Sequence, residues 1–390
     1  MSIKLLQIIA AYKPAYIYGG PTMSVSKLCE ALTNAKIDVE VLTTTANGKS
    51  ELNVKPGESM QIDGVKVTYF KRITKDHTHF SPALLLALQR KIKTNPNLII
   101  HIHAWWNLVS IFSCYLAKWY AIPVILSPRG MLTNYTSKNR NGGIKSIIHT
   151  VIGKRLLKYC HIHVTSEKEK EDVLSIIQPK SITVIPNLVS FPAYNQEIIH
   201  HQQKENKEEP FKLIFLSRVE EKKGLELLFE AVVGLPFNWQ LTIAGTGEED
   251  YEKALKVRVE RLKLSENINW IGQVSNIEKF ILMAQHDLLV LTSYNENFAN
   301  VVIESLSVGT PVLLSDQVGL ADYVKEKKLG WITDLTPKNI KKNIVKSFEA
   351  VSSRLKIRET APIIISEDFK SKNLIKKYFT LYSQSKNGNL

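Results

Sequence analysis

The chain has 390 residues, of which 44% are hydrophobic and 23% are charged, an ordinary composition for a globular protein with enough residues for two domains. Its formal net charge of +14 is typical either of a protein with an anionic partner, such as a nucleic acid, an anionic lipid surface or a diphosphate, or of a generally solvated basic surface. The sequence contains no nucleic-acid-binding motif, which disfavours the first of these, and no apolar run of about 18 residues, so no membrane-spanning helix is predicted.

Short apolar segments alternate with helical patterns through the first half of the chain. This alternation is typical of βα units, so we expect a parallel, doubly wound sheet. The strands of this half are predicted at residues 3–9, 39–44, 65–70, 98–102, 124–127, 162–165 and 182–185.

A glycine-rich turn, Gly19-Gly20-Pro21, follows the first predicted strand. Thr22 or Ser24 is expected to cap the helix after it. Glycines let the backbone approach a ligand closely and turn its free amides toward it, although a plain βα turn would need glycines as well. The apolar face of this helix is predicted to consist of Val25, Leu28, Cys29 and Leu32.

Two histidines alternate at the end of the strand predicted at 98–102, so the rings of His101 and His103 should point to one face of the sheet. They are interpreted either as histidines at the edge of the core or, for His103, as part of a ligand cleft; further ligands for a zinc site are lacking nearby. Residues 145–158 have apolar side chains on one side and basic ones elsewhere. That basic side is either solvated or in contact with an anionic membrane.

The polar, charge-rich stretch 195–210 cannot bury a core and predicts an exposed connection between two domains. A second doubly wound sheet is expected after it, and apolar residues at helical spacing predict a helix over 369–382. The strands of this half are predicted at residues 212–216, 240–244, 268–271, 287–291 and 312–315.

Two basic residues follow the strand at 212–216. Arg218 comes directly after it, and Lys223 stands five residues later beside Gly224, where a helix should begin. Fixed cations of this kind can stabilise a departing diphosphate without a metal ion. A solvated basic loop would have the same residues, but the glycine turn at Gly245 and two carboxylates further on favour the phosphate interpretation.

The carboxylates Glu296 and Glu304 are eight residues apart. Glu296 is predicted in the loop at the carboxyl end of the strand 287–291, and Glu304 inside the next helix. Eight helical residues would span about 12 Å, so the two side chains should not touch. Ligands of open α/β sheets bind at this edge, where a helix N-terminus attracts phosphate and a carboxylate can accept sugar hydroxyls.

Together these motifs resemble those of the retaining glycosyltransferases of family 4. The resemblance rests on the Glu296–Glu304 spacing, the Arg218–Lys223 segment, the turn at Gly245, Ile185-Pro186-Asn187 and the loop at Gly19, and it covers nearly the whole chain. It implies an α/β fold of the GT-B type, with two doubly wound, Rossmann-like domains facing each other across a cleft. The acceptor-side domain would be residues 1–186, the donor domain 187–368, and a helix in 369–390 would cross back to the first domain.

The resemblance also implies a function. The enzyme would move a hexose from a nucleotide-diphosphate sugar to a glycan or lipid-linked saccharide, with retention and without a metal or other cofactor. It would work in the cytoplasm, peripherally on the inner face of the cell membrane, and nucleic acid is not expected as a partner. Its three cysteines, which lack metal-ligand spacing, fit a reducing compartment.

The resemblance assigns roles to individual residues. Glu296, Arg218 and Lys223 would be catalytic. Glu304 would hold the ribose hydroxyls. Residues near the donor would be Gly245, Asn297, Phe298, Ala299 and Asn300. Residues near the acceptor or a phosphate would be Gly19, Gly20, His103 and Arg129.

The sequence departs from the family pattern in two places. Arg129, within Ser-Pro-Arg-Gly-Met, stands where a histidine is frequent, a form that resembles a subgroup of bacterial surface-polysaccharide transferases. Asn297 and Ala299 stand where glycines are frequent; because asparagine tolerates left-handed backbone and alanine is small, the loop shape is expected to persist. Two alternatives stay open, namely a sugar-nucleotide epimerase on the same fold and a non-catalytic nucleotide-sugar-binding subunit.

Overall fold

The structure is a computed structural model that describes residues 4–95, 97–133, 153–192, 209–275 and 277–386. Residues 145–152 of the predicted basic helix and most of the predicted connection at 195–210 lie outside these ranges. The chain divides into two compact units, one of Met1–Leu188 with Ser371–Leu390 and one of Val189–Lys370. The boundaries predicted from the sequence were 186/187 and 368/369.

The first unit is built on a sheet whose strand order is β10-β9-β8-β7-β1-β2-β6-β5. Neighbouring strands are parallel except at the edge, where β5 pairs antiparallel with β6. The strands of this sheet are β1 Lys4–Ile8, β2 Asp38–Thr44, β5 Ser59–Ile62, β6 Val65–Phe70, β7 Leu98–His103, β8 Val124–Ser127, β9 His161–Val164 and β10 Ser181–Val184. Two short strands, β3 Ala46–Asn47 and β4 Ser50–Glu51, form a separate antiparallel pair. Its helices before the second unit are α1 Gly20–Asn34, α2 Pro82–Thr94, α3 Leu108–Trp119, α4 Lys154–Tyr159 and α5 Glu167–Ile176.

Alternate residues of the central strands point to opposite faces of this sheet, so each strand contributes to two cores. Leu6 and Ile8 of β1 pack on the side of α2, α3 and α4. Leu5 of β1 and Ile99 of β7 pack on the other side, with α1. The sheet is therefore buried on both faces, as expected for parallel strands.

The second unit has the strand order β13-β12-β11-β14-β15-β16, with every neighbouring pair parallel. The chain leaves β11 toward β12 and β13 and returns to β14 on the other side of β11. The strands are β11 Phe211–Leu216, β12 Trp239–Ala244, β13 Ile268–Gly272, β14 Leu288–Leu291, β15 Val312–Ser315 and β16 Gly330–Thr333. The helices are α6 Leu225–Val232, α7 Glu249–Arg261, α8 Glu278–Ala284, α9 Asn300–Ser307, α10 Ala321–Lys327, α11 Pro337–Glu349 and α12 Val351–Asp368.

The C-terminal helix α13, Ser371–Lys386, belongs to the first unit. Leu374, Tyr378, Leu381 and Tyr382 form its buried face and pack with α1 on the sheet. Phe379, one position from that face, is half exposed. The helix predicted over 369–382 is thus present, over 371–386.

Several details differ from the sequence prediction. Each predicted strand is present to within one residue in the described ranges, but β3, β4, β5 and β16 were not predicted, because they are short and the first three are largely polar. The predicted cap of α1 was wrong: the N-cap is Gly19, and Ser24 lies inside the helix with Oγ donating to the Gly20 carbonyl at 2.6 Å. The predicted apolar face of α1 is buried.

Within the described part of the chain, none of the helices combines the length and the apolar character that crossing a bilayer requires.

Candidate active site

The candidate site of the second unit lies where the strand order reverses, between β11 and β14. Ligands of open α/β sheets bind at such points, outside the carboxyl ends of the strands. Two segments meet there: residues 217–224, which we call the β11 loop, and residues 292–299, the β14 loop. Arg218 and Lys223 lie in the first, and Glu296 lies in the second, as the sequence predicted.

The two loops touch through their backbones at Gly224. A Cβ on this residue would lie 2.3 Å from the Thr292 carbonyl oxygen, and its φ of +66° is left-handed. In turn, Thr292 Oγ1 donates to the Gly224 carbonyl at 3.0 Å, and the Tyr294 amide donates to the Lys222 carbonyl at 2.9 Å. Because only glycine fits both the conformation and the space, Gly224 is what lets the loops come together.

Lys223 and Glu296 form an ion pair across the two loops. Both side chains are mostly buried, with 8% and 19% of their surfaces exposed. The Glu296 backbone is also held, since its amide donates to the Gln317 carbonyl at 3.2 Å and its carbonyl accepts from the Gly319 amide at 2.8 Å. The ammonium group and the carboxylate are therefore fixed before any ligand arrives.

Further positive charge surrounds this pair. Burial alone would raise the pKa of Glu296, but the charges of Lys223 and Lys222, the Lys223 hydrogen bond and the charge of Arg218 outweigh it and hold that pKa below its usual value. Burial lowers the pKa of Lys222, against the opposing charge of Glu296. Arg218 is about half exposed and pairs with Glu220 at 3.2 Å, so its guanidinium faces solvent at the rim of the site.

The turn after β12 closes over the β11 loop. A Cβ on Gly245 would lie 1.8 Å from the Ser217 carbonyl oxygen, and one on Gly247 would lie equally close to the Val219 carbonyl oxygen. The Val219 amide donates to the Thr246 carbonyl at 2.9 Å. Gly245 was predicted as a donor-side residue; the structure shows that close packing of two backbones already requires a glycine there.

Glu304 lies inside α9, as predicted, and is paired with a lysine that sequence reasoning missed. Lys279 of α8 places Nζ 2.6 Å from Glu304 Oε1, and both side chains are nearly buried. The helix starts after Ala299, which is left-handed at φ +62° and makes no side-chain capping bond to it. The amide end of α9 therefore lies where the β14 loop ends.

The remaining residues predicted near the donor differ in burial. Phe298 is buried in the core, with its ring 6.1 Å from that of Phe369, so it anchors the loop. Asn297 and Asn300 are half buried on either side of it. The residue of this loop with a left-handed backbone is Ala299. From the sequence, Asn297 was the residue expected to tolerate that conformation.

In the first unit, His101 and His103 do share one face, with ring centroids 4.1 Å apart. Both are fully buried under α13. His101 bonds through Nδ1 to Tyr382 Oη at 2.9 Å and through Nε2 to Ser127 Oγ at 2.7 Å. Burial, with the charge of Arg129 acting in the same direction, holds the pKa of both histidines well below the ordinary value, so they are neutral.

Arg129 adopts a left-handed conformation, φ +56°, just after β8. Its guanidinium donates to Asn187 Oδ1 and, at 3.3 Å, to His103 Nδ1, while His103 Nε2 lies 2.6 Å from Gln7 Oε1. These contacts enclose His103 within a polar network and favour its interpretation as a structural histidine. Strain of this kind at a strand end is frequent at functional sites.

The glycine loop of the first unit leaves room for a ligand beside its backbone. Gly19 has φ +62°, and a Cβ added to Gly20 would meet nothing within 4 Å among the described residues. Close packing therefore does not require glycine at position 20, in contrast to Gly224.

These two α/β units define the fold class: the chain has the GT-B fold. The Anabaena protein HepE, whose structure holds UDP and glucose, has a similar fold, with a TM-score of 0.74 at 17% identity over 98% of this chain and 100% of that one. At this identity, the match concerns the fold alone.

Two family models match the chain, "Glycosyltransferase Family 4" over residues 18–191 and "Glycosyl transferases group 1" over residues 196–362. An uncharacterized glycosyltransferase of Methanocaldococcus jannaschii is 24% identical over 97% of this chain and 98% of its own length. The O-antigen biosynthesis glycosyltransferase WbnH of Escherichia coli is 28% identical over 47% of this chain and 50% of its own. The chain is a glycosyltransferase of the GT-B type.

The Lys223–Glu296 pair predicts a specific pH dependence of stability. Glu296→Gln leaves the Lys223 ammonium buried without its counter-charge, so the free energy of unfolding of the second unit should fall by roughly 3 kcal/mol at neutral pH. Because the folded-state pKa of Glu296 is depressed, the stabilisation is complete above the unfolded pKa of about 4.3 and is lost as the pH falls through the lower folded value. The difference in unfolding free energy between the wild type and Glu296→Gln should therefore persist at about pH 5 and become smaller only in stronger acid.

Denaturant unfolding of the wild type and Glu296→Gln across this pH range measures the difference. The exposed Glu326→Gln serves as the matched control and should unfold like the wild type at each pH. Equal stability of Glu296→Gln and the wild type at neutral pH would contradict the pairing.

Proposed function

We propose that this chain is a retaining glycosyltransferase that moves a hexose from a nucleotide-diphosphate sugar to a glycan or lipid-linked saccharide in bacterial surface-polysaccharide biosynthesis. The observation that carries the proposal is the Lys223–Glu296 pair at the strand-order reversal, followed by helix α9, which begins directly after the β14 loop and contains Glu304. This arrangement provides a cation, an amide end and a buried carboxylate in one stretch of the second unit. A diphosphate joined to a ribose would use all three.

The nucleotide end of the donor would be bound through Glu304. Its Oε1 is engaged by Lys279, and a carboxylate has further lone pairs with which to accept from the ribose hydroxyls. The diphosphate would lie toward the amide end of α9, whose dipole favours negative charge. The UDP and glucose in the HepE structure support a nucleotide sugar as the donor class.

Sugar transfer breaks the bond between the anomeric carbon and the β-phosphate oxygen and forms one between that carbon and an acceptor hydroxyl oxygen, whose proton passes to the departing diphosphate. The electron pair stays on that oxygen, so the diphosphate gains negative charge as the bond breaks. Lys223 would stabilise this charge, with Arg218 adding to the field from the rim. Glu296 would hold the Lys223 ammonium in place beside the donor sugar, and no metal ion is required in this scheme.

The acceptor class is proposed from the relatives and from the first unit. WbnH acts in O-antigen biosynthesis, which supports a surface polysaccharide as the pathway class. Gly20, with its open side, and Arg129 at the end of β8 would face an acceptor or its phosphate. The enzyme would work in the cytoplasm, on the inner face of the cell membrane.

A mass-spectrometric screen tests the proposal directly. The protein is incubated with a panel of nucleotide sugars, with and without glycan and lipid-linked acceptors. We expect one nucleotide sugar to be consumed only when an acceptor is present, with a glycosylated product and a free nucleoside diphosphate. An epimerised nucleotide sugar formed without acceptor would instead identify an epimerase, and binding without turnover would identify a non-catalytic subunit.

Glu304→Ala should weaken nucleotide binding. Loss of a charged acceptor leaves two ribose hydroxyls unpaired, which costs roughly 1.5–3 kcal/mol. Calorimetric titration with the nucleoside diphosphate measures the dissociation constant. The exposed Glu326→Ala is the matched control, and an unchanged constant in folded Glu304→Ala would disprove the ribose assignment.

Lys223→Ala should lower kcat more than it raises the donor KM. The ammonium interacts more strongly with the diphosphate as it gains charge in the transition state, so about 10²–10³ in rate should be lost. Lys223→Arg, which keeps the charge, should recover part of it. Steady-state kinetics at saturating acceptor decide the matter: a raised KM with intact kcat would show that Lys223 contributes only uniform binding.

Turnover should survive chelation. The expectation rests on the absence of any Asp-x-Asp sequence from the chain and on the fixed Lys223 charge beside Arg218. The assay is run with excess EDTA after dialysis, alongside a metal-replete sample. Complete loss of activity that Mg²⁺ or Mn²⁺ restores would mean that a metal ion, and not the lysine, neutralises the leaving diphosphate.

A further inference from the structure

The outward face of α3 is aromatic. Phe112, Tyr115 and Trp119 have 39%, 46% and 72% of their surfaces exposed. Their spacing of three and four residues places them on one side of the helix. The strip is extended by Phe80, whose ring centroid is 5.6 Å from that of Phe112, while the Tyr115 and Trp119 rings are 6.3 Å apart.

The inner side of α3 is also apolar. Val109, Cys114 and Ala117 are fully buried in the core under the sheet. The helix is therefore apolar on both sides, and the outer side stays in water at a free-energy cost. Contiguous exposed apolar surface of this kind is typical of an interaction site.

The helices on either side of the strip are basic. Helix α3 packs against α2 on one side and α4 on the other, and the three helices contain no aspartate or glutamate. Exposed basic side chains are contributed by α3 itself, through Lys118, and by α4, through Lys154, Arg155 and Lys158. The basic residues of the three helices are Arg90, Lys91, Lys93, Lys118, Lys154, Arg155 and Lys158.

We propose that the aromatic strip of α3 and its basic rim form a docking surface for an anionic lipid bilayer. Tryptophan and tyrosine are enriched at the level of the lipid headgroups, and lysine and arginine side chains beside them attract anionic lipids. Lysine is depleted from protein–protein interfaces, and three helices without a carboxylate offer a protein partner little alternating charge to match. For residues 145–158 the sequence left a solvated basic side and a membrane contact open; the surface proposed here includes 154–158 but is centred on α3.

Vesicle co-sedimentation of the full chain tests the surface. Vesicles of phosphatidylcholine alone are compared with vesicles that also contain phosphatidylglycerol. We expect binding to the anionic vesicles only, and weaker binding as salt is added. The variant K154Q/R155Q/K158Q should bind roughly 100-fold more weakly, since each basic side chain near an anionic surface contributes about fivefold.

The aromatic strip is tested by F112S/Y115S/W119S, which should weaken binding by at least about tenfold. W119S alone, at the most exposed position of the three, provides a second test if the triple variant does not fold. The matched control is K338Q/K342Q/K346Q, which removes three exposed charges from α11 in the other unit and should bind like the wild type.

Three outcomes would overturn the proposal: no binding of the wild type to anionic vesicles, unchanged binding of the patch variants, or an equal loss in the α11 control. The first of these would leave a protein partner as the occupant of the strip. Because the assay contains no nucleotide sugar, its failure leaves the proposed transfer reaction untouched. Nucleotide titration of each variant checks that the second unit is intact.

Discussion

The close approach of the β11 and β14 loops is the constraint on which the candidate site depends. Gly224 allows it, because a side chain at this position would collide with the Thr292 carbonyl. Once the backbones are in contact, Lys223 and Glu296 are brought together from positions 73 residues apart, in a place where little water remains to screen them. The charges are thus held by the fold and need no reorganisation when a ligand arrives, which is the condition for strong electrostatic stabilisation.

Each of the two carboxylates has its own lysine, Lys223 for Glu296 and Lys279 for Glu304. Without a ligand these pairs keep a buried charge from being left alone, which would be costly. An anionic ligand beside the first pair would give the Lys223 ammonium a second anion to face, with Glu296 still holding it in place. A hydroxyl ligand at the second pair competes with nothing, since Glu304 keeps acceptor capacity beside Lys279. The same residue types therefore provide two different binding environments.

The sequence was informative where a local pattern decides the structure. Apolar runs located the main strands, and helical spacing located α13. The sequence was not informative where the packing of distant elements decides which side chains meet. The pairing of Lys279 with Glu304 depends on how α8 packs beside α9, and the bond between His101 and Tyr382 joins residues 281 positions apart. The capping error at α1 has the same origin, because glycine can cap a helix through backbone conformation alone and leaves no polar side chain to recognise.

Strand β7 presents apolar side chains to one face of the first sheet and hydrogen-bonding side chains to the other. On β7, Ile100 and Ile102 point into the apolar core that supports α2, α3 and α4, while His101 and His103 point toward α13. The histidines stay neutral because burial disfavours their charged form and their ring nitrogens are already bonded. Hydrogen bonds are directional, so this network fixes the register of α13 on the sheet in a way that apolar packing alone would not. On the other face the helices rest on apolar side chains of the strands, and α3 combines an apolar inner side with an aromatic outer one.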